Sequence, residues 1–321
     1  SVDPNFPTNP DNFVRVVALQ PNGDILAAGD FATVGGVSRA NAVRIIGDPL
    51  PPQLLNISTR MAVETGDNAL IGGFIVTGLT PKRVMVRAIG PSLNAFGVPG
   101  ALADPVLELH DSQTTIATND NWRKTQLGGV IAGDQRLEII ASGIAPRTDP
   151  ESALIARLMP GPYTALVKGV AGTTGVGLIE VYDLEGAAPS QLANISSRGH
   201  VETESNVMIG GFIIGGNGNA KVLVRAIGPS LTTAGVAGAL GDPTLELHDG
   251  SGTIIATNDN WKINDMTGQS QESVIRATTV PPSNDLESAL VATLSPGNYT
   301  AIVRGKNNTT GVGLVEVYNL Q

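Results

Sequence analysis

The sequence predicts an all-β protein: two tandem antiparallel β-sandwich domains behind a short N-terminal β segment. Three observations lead there: a long internal repeat, apolar residues recurring with a period of two, and a composition suited to short strands and tight turns. The 321 residues include 39 glycines and 21 prolines, with 41% hydrophobic residues and only 4% aromatic ones. Turn formers are plentiful, yet enough apolar material remains for packed cores, which argues against disorder.

The repeat organises the chain. Asn56-Ile57-Ser58 returns as Asn194-Ile195-Ser196, and Ile71-Gly72-Gly73-Phe74 as Ile209-Gly210-Gly211-Phe212, both 138 residues on. Arg87 to Leu93 (RAIGPSL) recurs unchanged from Arg225 to Leu231, and Asp104 to Asp111 is echoed from Asp242 to Asp249. ATNDNW at 117–122 returns at 256–261 with one residue inserted, and the offset then settles at 136, so that Gly175 to Leu178 matches Gly311 to Leu314. A duplication follows, with sandwich copies at 54–186 and 192–321 joined by a linker from Gly186 to Ser190.

Within each copy, runs such as Val84 to Ile89, Leu107 to His110 and Tyr163 to Val167 alternate like half-buried strands. Leu107 and Leu109 face one way, Glu108 and His110 the other. Thr80-Pro81, Gly90-Pro91 and Pro160-Gly161-Pro162 separate the runs with turn chemistry. Only 127–141, and its counterpart near 273–278, suit a short helix. Gly215 to Ala220 looks like a phosphate loop but sits between two strands and reads as a hairpin turn. Eight or so strands per copy imply two packed sheets.

Residues 1–50 are different. Phe13 to Gln20, Pro21 to Phe31 and Asn41 to Ile45 resemble one delta-60-type repeat, a propeller-blade-like unit. A lone blade buries neither face, because in a propeller its neighbours cover both. Phe13, Val14, Val16, Val17, Leu19, Ile25 and Leu26 are therefore expected to carry a contact. The segment either packs on its own chain, is the stub of a longer protein, or is donated to another subunit.

Charge excludes two partner classes. Twenty Lys and Arg against 29 Asp and Glu give a net charge of −9. Nucleic acid binding needs a basic surface that releases counterions, and an anionic membrane surface is equally disfavoured. No apolar run approaches the ~20 residues of a membrane span. With no cysteine there are no disulfides and no Cys-ligated zinc. Thr/Asn/Gly-rich strands with little lysine lean towards an extracellular, bacterial-surface protein, and the start at Ser1 rather than Met suggests a processed chain.

Catalytic groups are not evident. Gly90-Pro91-Ser92 lacks the second glycine of a nucleophile elbow. His110, His200 and His248 form no readable triad with Ser and Asp, and no H-x-x-x-H pair exists. Arg87 and Arg225 are expected to pair with a carboxylate such as Glu108 or Glu246. The ligand worth testing is Ca²⁺, which prefers hard oxygens. Asp104, Asp111, Asn119, Asp120 and Asn121 offer such a set, repeated as Asp242, Asp249, Asn258, Asp259 and Asn260. The alternative is that these side chains close Asx turns above Trp122 and Trp261.

The second half of each copy resembles the bacterial pre-peptidase C-terminal domain. The resemblance rests on Asp242 to Leu247, Thr257 to Asn260 and Leu294 to Thr300, matched by Asp104 to Leu109, Asn119 to Asn121 and Met159 to Thr164. It implies a jelly-roll-like sandwich of a secreted protein, with Ca²⁺ binding in some members. The expected function is a non-catalytic subunit of an extracellular filament, assembling head-to-tail with copies of itself by adding its N-terminal strands to the next sheet. The alternative is a Ca²⁺-dependent module anchoring a larger secreted protein to polysaccharide or the cell surface.

Overall fold

The structure is a computed structural model that describes residues 10–20, 24–45, 50–124, 127–129, 131, 133–186 and 189–320. Contacts divide it into two compact units: residues 1–51 with 185–188, and residues 52–184 with 189–321. It is an all-β protein of the sandwich class.

The first unit holds β1 (Val14–Leu19), β2 (Ile25–Gly29), β3 (Thr33–Val34), β4 (Val37–Ser38) and β5 (Ala42–Ile45). β1, β2 and β5 make an antiparallel sheet in that order, and β3 pairs with β4. The β1–β2 register slips at Arg15, between the pairs Val14/Gly29 and Val16/Ala28. Such a bulge re-aims side chains. Val14 and Val17 consequently share one face with Ile25 and Val43, while Val16 and Ala18 share the other with Leu26 and Ala42.

The second unit contains both copies. The first supplies β6 (Gln53–Val63), β7 (Leu70–Thr77), β8 (Lys82–Ile89), β9 (Pro105–His110), β10 (Thr115–Asn119), β11 (Leu127–Gly129), β12 (Ser152–Leu158), β13 (Gly161–Gly169) and β14 (Gly175–Asp183). The second supplies β15 (Gln191–Val201), β16 (Met208–Gly215), β17 (Ala220–Ile227), β18 (Pro243–His248), β19 (Ile254–Asn258), β20 (Ser288–Leu294), β21 (Gly297–Gly305) and β22 (Gly311–Asn319).

Traced pair by pair, one sheet runs β11-β10-β9-β13-β7-β15-β22-β17-β20. The other runs β12-β8-β14-β6-β16-β21-β18-β19. A Leu54–Leu192 pair links the two ladders, so these strands form one network.

Each sheet therefore crosses from one copy into the other, where the sequence alone suggests two sandwiches separated by a linker. The crossings are equivalent: Phe74 lies opposite Ile195 and Ile71 opposite Arg198, just as Phe212 lies opposite Ile57 and Ile209 opposite Arg60. β7 pairs with β15, the copy of β6, and β6 pairs with β16, the copy of β7, so the two contacts are reciprocal like those of an isologous dimer. Thr59 Oγ1 donates to Ser197 Oγ at 2.7 Å, and these two residues are counterparts, which marks the pseudo-twofold axis. The repeated Gly-Gly pairs serve this crossing. A Cβ on Gly73 would lie 2.6 Å from Ser196 Oγ, and one on Gly211 the same distance from Ser58 Oγ. One apolar core, including Leu54, Phe74, Leu192 and Phe212, runs through both copies.

Outer faces are covered locally. Trp122 and Ile139 of α1 (Arg136–Ala141) pack with Met85, Ala153 and Ile155. Trp261 and Ile275 of α2 (Glu272–Arg276) pack with Leu223 and Ala289. The helix expected over 127–141 is thus confined to 136–141, because 127–129 pairs with β10. The 215–220 turn is not a hairpin. β16 already has β6 and β21 on its two sides, so the chain crosses to the opposite sheet to begin β17.

Candidate functional site

The sequence offers two candidate regions: the acidic loops of the sandwich copies and the apolar strands of the first unit. The GPS motif is settled by its surroundings. Glu151 is fully buried and accepts from Gly90 N (3.2 Å), Ser92 N (2.9 Å), Ser92 Oγ (2.7 Å) and Thr148 N (3.2 Å). Glu287 holds Gly228, Ser230 and Asn284 in the same way. Ser92 therefore spends its hydroxyl on a structural carboxylate. The ESAL repeat at 151–154 and 287–290 is the sequence signal for this role, since GPS and its carboxylate are duplicated together.

Arg87 pairs with Glu180 and Tyr182 rather than Glu108. β14 adjoins β8 and presents those side chains beside it, whereas β9 belongs to the other sheet. Arg225 repeats this with Glu316 and Tyr318 instead of Glu246. Burial, with the Glu316 charge second, pushes the Tyr318 phenol up to about 12. Glu108 takes Lys168 and His110 as partners.

Most of the calcium candidates have protein partners. Asp111 Oδ1 accepts from Gln113 N (2.8 Å) and Thr114 N (2.6 Å), and Asp249 Oδ1 from Ser251 N (2.9 Å) and Thr253 N (3.0 Å). Both close the turn of a hairpin; the backbone donors, Gln113 N first, hold the Asp111 carboxyl below the ordinary range, and the Ser251 hydroxyl (2.6 Å), with Thr253 N behind it, does so for Asp249. Asn119 Oδ1 accepts from Ala153 N (2.9 Å) and its Nδ2 donates to Asn121 O (3.0 Å). Asn258 does the same with Ala289 N and Asn260 O. Asn121 and Asn260 donate to Asp120 and Asp259.

These asparagines have a second role. β12 and β20 end their sheets, and their outward backbone groups are taken by side chains. Gln135 accepts from Ile155 N at 3.0 Å and donates to Ile155 O at 2.6 Å, beside the Asn119–Ala153 bond. In the second copy Asn258 and Gln271 cap Ala289. Capped edges resist pairing with a further strand.

What remains is one acidic pair in each copy. The Oδ1 atoms of Asp104, Asp120, Asp242 and Asp259 are buried without hydrogen-bond partners among the described residues. In the second copy Lys306 Nζ bridges the pair, 2.7 Å from Asp259 and 3.5 Å from Asp242. Val170 stands at that position in the first copy. Desolvation, with the Asp120 charge second, raises the Asp104 carboxyl, and Lys124 acts the other way.

The first unit presents its apolar residues openly. Phe13 is 74% exposed, Val16 58% and Val17 61%, while Val14 and Leu26 are each over 40% exposed. Ile25 is half-buried, and Leu19 pairs with it at the end of β1. Apolar grooves of about 330 Å³ and 300 Å³ lie on the two faces of the sheet.

No family model and no curated protein matches this chain. Among solved structures it is similar to a DUF4785 family protein from Legionella pneumophila, at 7% identity and a TM-score of 0.24, over 96% of this chain and 89% of that one. A structure of PNGF-II is similar at 10% identity and a TM-score of 0.19, over 97% and 63%. Likenesses this slight carry no functional argument.

Proposed function

We propose that this chain is a non-catalytic structural subunit of an extracellular assembly, built by self-association through its N-terminal sheet. The observation that carries the reading is the sheet β1-β2-β5, apolar and open on both faces. Fully burying a Val, Leu or Phe side chain contributes about 1.5–3 kcal/mol, so five such residues supply several kcal/mol before the cost of association. A sheet with two apolar faces stacks on both, and such a contact propagates without closing. The capped edges of β12 and β20 disfavour insertion of a strand at those two edges. The test is electron microscopy of the full chain beside a chain lacking residues 1–50. Filaments from both samples, or from neither, would sink the reading.

A second reading, a Ca²⁺-dependent anchoring module, is favoured by the Asp104–Asp120 pair, whose sister pair holds an ammonium group. Calcium titration should then find one site per chain, abolished by Val170→Lys. Binding unchanged by that substitution would eliminate it.

A further inference from the structure

The duplication brings one more set of ligating groups together. Glu64 and Glu202 are counterparts, each following the last residue of β6 or β15. The chain leaves both strands through the same turn: Glu64 N donates to Asn68 O at 3.4 Å, and Glu202 N to Asn206 O at 3.3 Å. Because the copies meet about a pseudo-twofold axis, the two carboxylates converge at one end of the second unit, where His200 joins them. Ligand atoms of the three side chains all lie within 4.8 Å of one another, and all three residues are half-buried.

We propose that Glu64, His200 and Glu202 bind one divalent transition-metal ion of the zinc class, shared between the two copies. His200 Nδ1 is buried without a hydrogen-bond partner among the described residues, and it sits 3.6 Å from Glu64 Oε2. That distance is too long for a hydrogen bond but close to the roughly 3.4 Å separating two ligands on a tetrahedral ion with bonds of about 2.1 Å. One imidazole nitrogen and two carboxylates suit Zn²⁺, Co²⁺ or Mn²⁺, whereas Ca²⁺ and Mg²⁺ take oxygen. Two carboxylates this close repel unless a cation lies between them. Arg198 and Lys168 line a cavity with Glu64, but Lys168 is committed to Glu108 and neither forms an ion pair with Glu64. A cavity of about 400 Å³, lined by His200, Asn68 and Gly238, gives room for the water that an ion with three protein ligands keeps. Ala62 occupies the position equivalent to His200 in the first copy, so the duplication makes one site per chain and not two.

This inference is independent of the assembly reading and is tested on the full chain. After chelation and dialysis, Co²⁺ is titrated while its visible absorption band is followed, and Zn²⁺ is then used to displace it. One Co²⁺ per chain is expected, with affinity lost about 100-fold in His200→Ala and in Glu202→Gln, since even outer partners of a ligand are worth 10–100-fold. His248→Ala should bind as the parent does. Zn²⁺ should raise the melting temperature of the parent but not of His200→Ala, with circular dichroism checking that the variant is folded. Absence of saturable binding, binding that survives His200→Ala, or equal loss in His248→Ala would each overturn the proposal.

Discussion

Replacing Glu151 by Gln tests whether the two copies form one cooperative body. The carboxylate is fully buried and accepts four hydrogen bonds, two on each oxygen. Glutamine keeps one oxygen, and with it the bonds from Gly90 N and Ser92 N. Its amide nitrogen replaces the other oxygen and faces Thr148 N–H, donor against donor, while the Ser92 hydroxyl turns to accept. One buried donor without an acceptor costs about 1–3 kcal/mol, and bonds to the neutral amide are weaker than bonds to a charge. The expected loss is about 2–4 kcal/mol. Urea unfolding followed by tryptophan fluorescence and circular dichroism reads it, with Trp122 in one copy and Trp261 in the other. Glu287→Gln in the second copy should give a similar loss. Because both sheets and the core run through both copies, each variant should shift a single coincident transition with an unchanged slope. Two separable transitions, one moved by each variant, would refute the reasoning, as would a loss below 0.5 kcal/mol.

Other outcomes follow from comparing the copies. Lys82 and Asp183 form a fully buried ion pair at 2.6 Å, where the second copy has Ala220 and Asn319. Lys82→Ala alone should cost about 3–5 kcal/mol, and adding Asp183→Asn should recover most of it in a double-mutant cycle. Ala171 has a φ of 52°, a conformation that disfavours residues with a Cβ, and its counterpart is Asn307. Ala171→Asn should therefore stabilise by about 0.5–1 kcal/mol, read from the urea midpoint. Asp111 and Asp249 have depressed carboxyls, so their contribution is present above the ordinary carboxylate range and is lost as pH falls through their lowered values. Asp104 has the opposite sign: its folded state takes up a proton first, so without a bound cation Asp104→Asn should raise the melting temperature at pH 7 and lose that advantage in acid.

Much of this was legible in the sequence because repetition and alternation are local. The alternating burial along β9 and β18 follows from PVLELH and PTLELH, and the correspondence of the duplicated residues follows from the offset. The fusion of the copies was not legible, since a strand's pattern is the same whether its neighbour comes from its own copy or the other. Gly72-Gly73 and Gly210-Gly211 hinted at close approach without naming what approaches. The partner of Arg87, Glu180, is distant in sequence and is set by the order of strands, which spacing along the chain does not carry. The acidic loops divided according to hydrogen bonding: Asp111 and Asn119 close turns and cap an edge, leaving Asp104 and Asp120 with open oxygens. The convergence of Glu64, His200 and Glu202 depends wholly on the pseudo-twofold axis, and no spacing along the chain announces it.

The most direct measurement is multi-angle light scattering of the full chain and of residues 51–321, over a range of concentrations, with Val17→Asp as a point variant in the sheet. If the N-terminal sheet is the assembly surface, the full chain should grow in mass with concentration, the truncated chain should stay monomeric, and Val17→Asp should behave as the truncation does. Monomers in all three samples, or growth that survives the loss of residues 1–50, would contradict it.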